Sequence, residues 1–233
     1  NTAVGTYALD ATTTGSYNTA LGYTSLGKNT TASLNVAVGD AAMAENTTGA
    51  SNTAVGASAL QANTTGIENV AVGHETLDAN TTGDENTALG QSALTSNTTG
   101  DGNVGVGQDA LYTNTTSSNN TALGTNALYY NTAATNVAVG AYAMEANTTG
   151  AANVAVGAYC LDANTTASDN TGVGYGCLSA NTTGTYNTAI GRYALYAAST
   201  ADHNTAVGHN ALAANTTGEK ALAVGSSALL ANT

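Results

Sequence analysis

The chain has 233 residues, of which 42% are hydrophobic and only 8% are charged, and it contains no proline, tryptophan or phenylalanine. Fifteen acidic against three basic side chains give a net charge of -12, which would repel nucleic-acid phosphates and an anionic membrane surface. The longest apolar runs span a few residues, far short of the roughly 20 that a transmembrane helix needs. We therefore expect neither nucleic-acid binding nor membrane insertion.

One repeat runs along the whole chain. Words such as NTAVG, NVAVG and NTALG recur from Gly5 to Gly225, and every step between their glycines is 17 residues except the 16 from Gly124 to Gly140. Fourteen units of so short a period indicate a solenoid of stacked coils. Because Gly and Thr are plentiful and helix formers other than Ala are sparse, we predict an all-β parallel β-solenoid, or β-roll, with two short strands per coil. Positions within a coil are numbered here as columns 1 to 17, and coil 1 begins at Asn1.

Fixed columns predict the inside of the coil. Column 4 holds only Val, Leu or Ile and column 9 only Leu or Met, so we expect Val55, Leu60, Val72 and Leu77 to point inward. Column 2 alternates Thr with Val, and we place it inside with column 4 because residues two apart share a strand face. Columns 3 and 8 are almost entirely small, which predicts close approach of another backbone or subunit.

Glycine and asparagine columns predict the corners. Column 5 is Gly in every coil and column 15 in most, which we attribute to turns with positive φ. Asn fills column 1 in thirteen coils and column 12 in twelve, where stacked amides can bond along the axis. Ten NTT triplets, such as that at Asn63, match the N-glycosylation pattern; their regular spacing favours a structural role, and glycosylation stays open. The residue missing from coil 8, between Asn131 and Asn136, should be absorbed at a turn, because a slipped strand would invert inside and outside.

Cysteine and histidine suggest no reactive centre. Cys160 and Cys177 share column 8 on neighbouring coils, where two buried thiols are favoured over a disulfide, although a bridge stays open. His74, His203 and His209 lie in variable columns, and no nucleophile, base and orienting carboxylate recur together. We predict no metal, no cofactor and no enzymatic activity.

The variable columns predict the outer surface. All eighteen charged residues, all three His and all twelve Tyr fall in columns 6, 7, 10, 11, 16 and 17. Tyr142, Tyr159 and Tyr193 share column 7 of nearby coils, with Tyr175 and Arg192 beside them in column 6. We predict an exposed strip of rings that contacts a receptor or a cell-surface glycan, against the simpler alternative that the rings only cover neighbouring turns.

The words NTAVG, NVAVG and NTAIG, followed by ALxANTTG, resemble the head repeats of YadA-like trimeric autotransporter adhesins. They resemble still more the NTTGxxNTAVG arrays of phage tail-fibre proteins, and the resemblance covers the whole chain. It implies a left-handed β-roll wound as a homotrimer and an extracellular location, on a virion tail fibre or a cell surface. The thin core also favours assembly of several chains.

Together these features predict a structural segment of an extracellular fibre that presents variable surface residues for attachment. Residues 1–233 would form a single repeat array within a longer fibre, because no polar capping coil is present. Its partners would be further copies of itself, within the trimer and through fibre stacking. The alternative is an ice-binding β-solenoid with a threonine ladder, motivated by Thr in column 13 of thirteen coils and in column 14 of nearly as many.

Overall fold

Residues 1–231, which the computed structural model describes, confirm the all-β parallel β-solenoid and contain no helix. The chain separates into two compact units, Asn1–Asn119 and Asn120–Thr233. The strands of the first unit are β1 (Thr2–Val4), β2 (Thr19–Leu21), β3 (Val36–Val38), β4 (Thr53–Val55), β5 (Val70–Val72), β6 (Thr87–Leu89) and β7 (Val104–Val106). Those of the second are β8 (Thr121–Leu123), β9 (Val137–Val139), β10 (Val154–Val156), β11 (Thr171–Val173), β12 (Thr188–Ile190), β13 (Thr205–Val207) and β14 (Leu222–Val224).

Each coil of residues 1–231 contains one strand, so the prediction of two strands per coil is wrong. The second side of the coil, after the column 5 glycine, has left-handed backbone at columns 7 and 9, as at Ser58 (φ 55°) and Leu60 (φ 54°). Alternating handedness prevents an extended strand there. The coils still bond to each other on this side, because the Leu60 N–H donates to the carbonyl of Thr76 at 2.9 Å.

The strands pair in parallel at an offset of one coil, so that residues of one column lie side by side. Ala54 lies beside Ala71, and Val55 lies beside Val72. Ala54 is fully buried, whereas Val55 is 37% exposed. Placing columns 2 and 4 inside is therefore wrong: in the strand, columns 1 and 3 point inward and columns 2 and 4 outward.

The narrow interior explains this inversion. Leu60 and Leu77 of column 9 are fully buried, as predicted, and they are the only large aliphatic side chains that their coils place inside. The side chains on the opposite wall of the coil must then be small, as the alanines of column 3 are. Ala59 of column 8 is likewise buried beside Leu60. The small columns thus reflect close packing within the coil.

Buried asparagines form ladders along the coil stack, as predicted. In column 12, Asn63 Nδ2 donates to Asn46 Oδ1 at 2.8 Å and to the carbonyl of Gly66 at 3.0 Å. In column 1, the Asn52 N–H donates to Asn35 Oδ1 at 2.8 Å, and Asn52 Nδ2 donates to the Gly66 carbonyl at 2.8 Å. The two ladders therefore converge on the column 15 carbonyl and satisfy groups that water cannot reach.

The same burial argues against glycosylation of the NTT triplets. An N-glycan must attach to a side-chain amide that an enzyme can reach, and these amides are inside the coil. The asparagines of the ten NTT triplets, all 0% exposed, are Asn29, Asn46, Asn63, Asn80, Asn97, Asn114, Asn147, Asn164, Asn181 and Asn215.

The two glycine columns share close coil stacking but differ in backbone conformation. Column 5 has the predicted positive φ, for example 140° at Gly56, a conformation that residues with a Cβ atom rarely adopt. Column 15 does not, so the prediction of positive φ there is wrong. A Cβ atom built on Gly49 would meet the carbonyl oxygen of Gly66 in a severe clash at 2.3 Å, so close coil stacking explains glycine in this column.

The short coil 8 absorbs its missing residue between Asn131 and Asn136, as predicted. Asn131 Nδ2 donates to the nearer carbonyl of Ala133 at 2.6 Å, and Asn136 Nδ2 donates to Asn131 Oδ1 at 3.2 Å. Beyond this turn β9 keeps the expected register with β8, with Ala138 beside Ala122. Inside and outside are therefore preserved.

Column 16, which we assigned to the variable surface, also helps to join the coils. Asp84 Oδ1 accepts a hydrogen bond from the Ile67 N–H at 2.8 Å, and Asp101 Oδ1 accepts one from the Asp84 N–H at 2.9 Å. Ser118 Oγ takes the same role toward the Asp101 N–H at 2.9 Å. Short acceptors in this column thus bond to the backbone of the preceding coil.

Cys160 and Cys177 are buried free thiols, as the favoured alternative predicted. A hydrogen bond with Cys177 and burial raise the pKa of the Cys160 thiol. Their extra volume is accommodated by Gly172, which replaces the usual alanine of column 3. A Cβ atom on Gly172 would lie 2.5 Å from Cys160 Sγ and 3.0 Å from Cys177 Sγ.

Candidate functional site

The predicted strip lies on the turn that follows the strand in coils 9 to 12 of the second unit. Its column 7 residues share a left-handed backbone, with φ of 59° at Tyr142, 56° at Tyr159 and 57° at Tyr193. Each is fixed to the coil before it, since the Tyr159 N–H donates to the carbonyl of Ala141 at 3.1 Å. The repeated backbone therefore holds successive side chains of this column one coil apart.

Five tyrosine rings form a continuous chain of contacts. Tyr142 stacks on Tyr159 with ring centroids 5.2 Å apart and planes 5° from parallel. The next contacts are edge to face: Tyr159 with Tyr175 at 5.8 Å, Tyr175 with Tyr193 at 5.5 Å, and Tyr193 with Tyr196 at 5.2 Å. Offset-stacked and edge-to-face pairs are the favourable arrangements of aromatic rings, so the cluster is held together by its own contacts.

Gly176 and Arg192 position the ring of Tyr193. Gly176 occupies column 7 of coil 11, where a Cβ atom would lie 2.8 Å from Tyr193 Cε1, so glycine lets that ring lie against the backbone. The Arg192 guanidinium carbon is 4.5 Å from the Tyr193 centroid and 5.9 Å from that of Tyr175, within cation–π range of both.

A carboxylate and a hydroxyl lie beside the rings. Ser179 Oγ donates to Asp162 Oδ1 at 2.6 Å. Burial raises the pKa of Asp162 above its ordinary value, and the hydrogen bond from Ser179 acts in the opposite direction. The pair therefore offers a partly desolvated acceptor and a hydroxyl within an aromatic surround.

Most of these residues line an open cavity of about 270 Å³, which we call the tyrosine groove. Its lining residues are Tyr159, Asp162, Tyr175, Gly176, Ser179, Tyr193 and Tyr196. A neighbouring cavity of about 170 Å³ shares Tyr193 and Tyr196 with it and adds Asn210 and Ala213. The pair Tyr193 and Tyr196 thus separates two adjoining depressions on one surface.

The first unit has a cavity of about 340 Å³ in the same columns. Tyr7 is the only aromatic residue that lines it, and the Lys28–Glu45 ion pair, with Nζ 2.5 Å from Oε2, lies at its edge. It lacks the ring cluster of the second unit.

The structure brings together all five residues that the sequence placed in the strip, and their role in attachment stays a prediction. The sequence pattern did not indicate Tyr196, Asp162 and Ser179, which all belong to column 10, nor Gly176 of column 7. Column 10 lies three residues after column 7 across a tight turn, and recognising that turn would have placed both columns on one surface.

The other candidates of the sequence form no site. His203 stacks on Tyr186 at 4.9 Å, and Asp202 Oδ1 accepts a hydrogen bond from the Thr185 N–H. Within residues 1–231 no group of three or more His, Cys, Asp or Glu side chains is arranged to hold a metal ion. That part of the chain also has no helix of the length and apolar character that crossing a bilayer requires.

Comparison with known proteins identifies no relative. No protein-family model, curated protein or solved structure matches the chain. The resemblance to YadA-like head repeats and tail-fibre arrays therefore rests on the repeated words of the sequence.

Proposed function

We propose that this chain is a structural segment of an extracellular attachment fibre, on a phage tail or a cell surface, in which copies of the chain assemble as a homotrimer. The fixed columns build the coil stack, and the variable columns present residues for attachment. Longer fibres would arise by coaxial stacking of further coils. We propose no catalytic role.

An uncharged outer face on the sheet of each unit, aliphatic in column 4 and mostly Thr or Val in column 2, carries this proposal. Columns 2 and 4 of the strands point outward and form what we call the strand face, with Val55 and Val156 each 37% exposed and Leu89 47% exposed. Strands about 10 Å long and 4.8 Å apart give a face of about 330 Å² for the seven strands of one unit. The largest apolar patches on typical soluble monomers cover about 300–600 Å² and are often functional.

Charge favours another copy of the chain as the occupant of this face. Columns 2 and 4 contain no charged residue, whereas the outer columns carry the net charge of -12. Two copies would repel each other through their acidic surfaces and would approach through their uncharged strand faces. Their side chains also repeat at the same coil spacing, so two strand faces can interdigitate along their length.

The test is the mass of the assembly in solution. Light scattering should give three times the chain mass of 22.8 kDa. The double variant Val72→Asp with Val156→Asp places a charge on the strand face of each unit and should be monomeric with an unchanged circular dichroism spectrum, because burying an unpaired charge is strongly unfavourable. The matched control, Thr65→Asp with Thr166→Asp, changes exposed column 14 residues and should keep the parent mass. A monomeric parent, or a strand-face variant of unchanged mass, would contradict the proposal.

Ice binding is the second candidate, and one observation favours it. Column 14 threonines such as Thr48, Thr65 and Thr82 are exposed and form a rank along the first unit. The column 13 rank is less suited, because its hydroxyls are already bonded: Thr47 Oγ1 donates to the carbonyl of Thr64 at 3.0 Å. Thermal hysteresis in the parent, abolished by Thr65→Asp and Thr82→Asp, would establish ice binding and overturn the purely structural role.

A further inference from the structure

We propose that the tyrosine groove binds neutral pyranose sugars, whose apolar C–H faces pack on the rings while their hydroxyls bond to Asp162 and Ser179. This site rests on the proposed attachment function and deepens it by naming the ligand class. The groove belongs to one chain, so its binding can be measured independently of assembly.

The rings of the groove are not needed to build the coil. The same column 7 holds Ala41 in coil 3 and Ser58 in coil 4, with φ of 54° and 55° close to the 56° of Tyr159. The backbone is therefore the same with or without an aromatic side chain. Tyr175 keeps 45% of its surface in solvent, so its ring is accessible to a ligand.

The groove has the form that a flat ring requires. Gly176 is buried under Tyr193 and leaves the bottom of the cavity to backbone, while Tyr159, Tyr175 and Tyr196 supply rings around it. A pyranose presents C–H groups on one face and hydroxyls at its edge, so it can contact aromatic faces and polar groups at once. Tyrosine combines an apolar ring with a hydroxyl that remains available for hydrogen bonds.

The polar groups define which sugars fit. The Asp162 carboxylate has roughly four acceptor positions, and Ser179 is its one side-chain donor among the residues that the structure describes. The backbone N–H groups of Asp162 and Ala163 also bond to this carboxylate, and the positions that stay free can accept sugar hydroxyls. A carboxylate at this place, in a chain of net charge -12, disfavours uronic and sialic acids. Arg192 does not line the groove and acts on Tyr193, so it is a positioning residue.

The adjoining cavity indicates more than one sugar unit. Because Tyr193 and Tyr196 line both depressions, a disaccharide can place one ring on each side of this pair. A β-1,4-linked disaccharide should therefore bind more tightly than its monosaccharide, by about threefold or more, which corresponds to roughly 0.65 kcal/mol.

The binding test uses the full chain with methyl β-D-glucopyranoside, cellobiose and, as the anionic match, methyl β-D-glucuronide. Saturation-transfer NMR should show the strongest transfer to the ring C–H protons of cellobiose. Tyrosine fluorescence reports the affinity, since the chain contains no tryptophan. The expected order is cellobiose, then glucoside, then glucuronide. Absence of transfer from all three at about 100 mM, far above millimolar dissociation constants, would overturn the proposal, as would tightest binding of the glucuronide.

Variants locate the binding. Tyr175→Ser and Tyr193→Ser should each weaken cellobiose binding about tenfold, which corresponds to about 1.4 kcal/mol. Gly176→Ala keeps the backbone found elsewhere in column 7 but displaces the Tyr193 ring, so it should also weaken binding. The control Tyr186→Ser removes an exposed ring of the same unit that lines neither cavity, and it should bind like the parent.

Two further results separate the possible failures. Equal binding by Tyr193→Ser and the parent, with circular dichroism unchanged in both, would place any sugar site elsewhere and overturn the assignment. Light scattering on the same samples reports assembly alone. A monomer that still binds cellobiose would refute the trimer but not the sugar site. A trimer that binds no sugar would refute the sugar site but not the trimer.

Discussion

Replacing Gly172 with alanine should destabilise the second unit, because the added methyl group would overlap two buried sulfur atoms. The new Cβ would lie 2.5 Å from Cys160 Sγ and 3.0 Å from Cys177 Sγ. Heavy atoms in unstrained contact are about 3.5–4.0 Å apart, so one sulfur must move by about 1 Å inside a closed coil. Overpacking of this kind costs about 1–3 kcal/mol. Gly172 does not have positive φ, so the effect comes from packing alone.

Replacing both cysteines with alanine should rescue this variant. The triple variant Gly172→Ala, Cys160→Ala, Cys177→Ala recreates the arrangement of coil 4, where Ala54 of column 3 and Ala59 of column 8 are both fully buried. The two cysteine replacements alone leave a small cavity and should cost about 1 kcal/mol. We expect the triple variant to lie within about 0.5 kcal/mol of the parent, which implies a coupling energy of about 2–4 kcal/mol.

Urea unfolding followed by far-ultraviolet circular dichroism, under reducing conditions, measures the four proteins of this cycle. Repeat arrays can unfold in stages, so midpoints of the transition assigned to the second unit should be compared. The reasoning fails if Gly172→Ala is as stable as the parent. It also fails if alanine at this position is equally destabilising with and without the sulfur atoms.

Three further predictions concern the buried polar groups. Ala198→Asn should raise the free energy of unfolding by about 1–2 kcal/mol. Asn181 Oδ1 is buried without a hydrogen-bond partner because coil 12 has no asparagine in column 12, and the new side chain would supply that partner. Unchanged stability in urea would contradict this. Asn80→Ala should lower the free energy of unfolding by about 3 kcal/mol, because it leaves the amides of the two adjacent coils unpaired. An alanine in the exposed column 14 of the same coil should change the free energy of unfolding little. Burial, and secondarily the negative charge of Glu75, raise the pKa of the Asp78 carboxyl above 3.8. The stability of the fold is therefore lost in part as the pH rises through the folded pKa of Asp78. Asp78→Asn should therefore melt higher than the parent at neutral pH, with the difference disappearing below pH 3.8; a lower melting temperature at neutral pH would contradict this.

The solenoid, its coil boundaries and its asparagine ladders were predictable because each is a property of the repeat itself. A 17-residue period fixes the stacking, and an unvarying Asn column bonds to its own copies in the adjacent coils. The orientation of columns 2 and 4 was not predictable from hydrophobicity. A strand that is apolar on both faces, as Val70-Ala71-Val72 is, contains no alternation that identifies the inner face. Only the size of Leu77 across the coil decides that alanine points inward.

Backbone conformation was the other limit. Leucine in the left-handed region, as at Leu60 and Leu77, contradicts the usual preference for glycine, and the surrounding hydrogen bonds impose it. That turn also brings column 10 beside column 7. Without it, the sequence identified the rings of Tyr159 and Tyr193 but neither Asp162 nor the depression between them.

The asparagine ladders have a consequence for the environments in which the coil stack remains intact. Their amides carry no charge, do not titrate between strong acid and strong alkali, and lie where dissolved ions cannot screen them. Brine, fresh water or an acidic medium therefore leaves the cohesion between Asn46, Asn63 and Asn80 unchanged. The acidic outer columns respond to all three media. A change of surroundings thus alters what the surface presents while the scaffold beneath it keeps its dimensions.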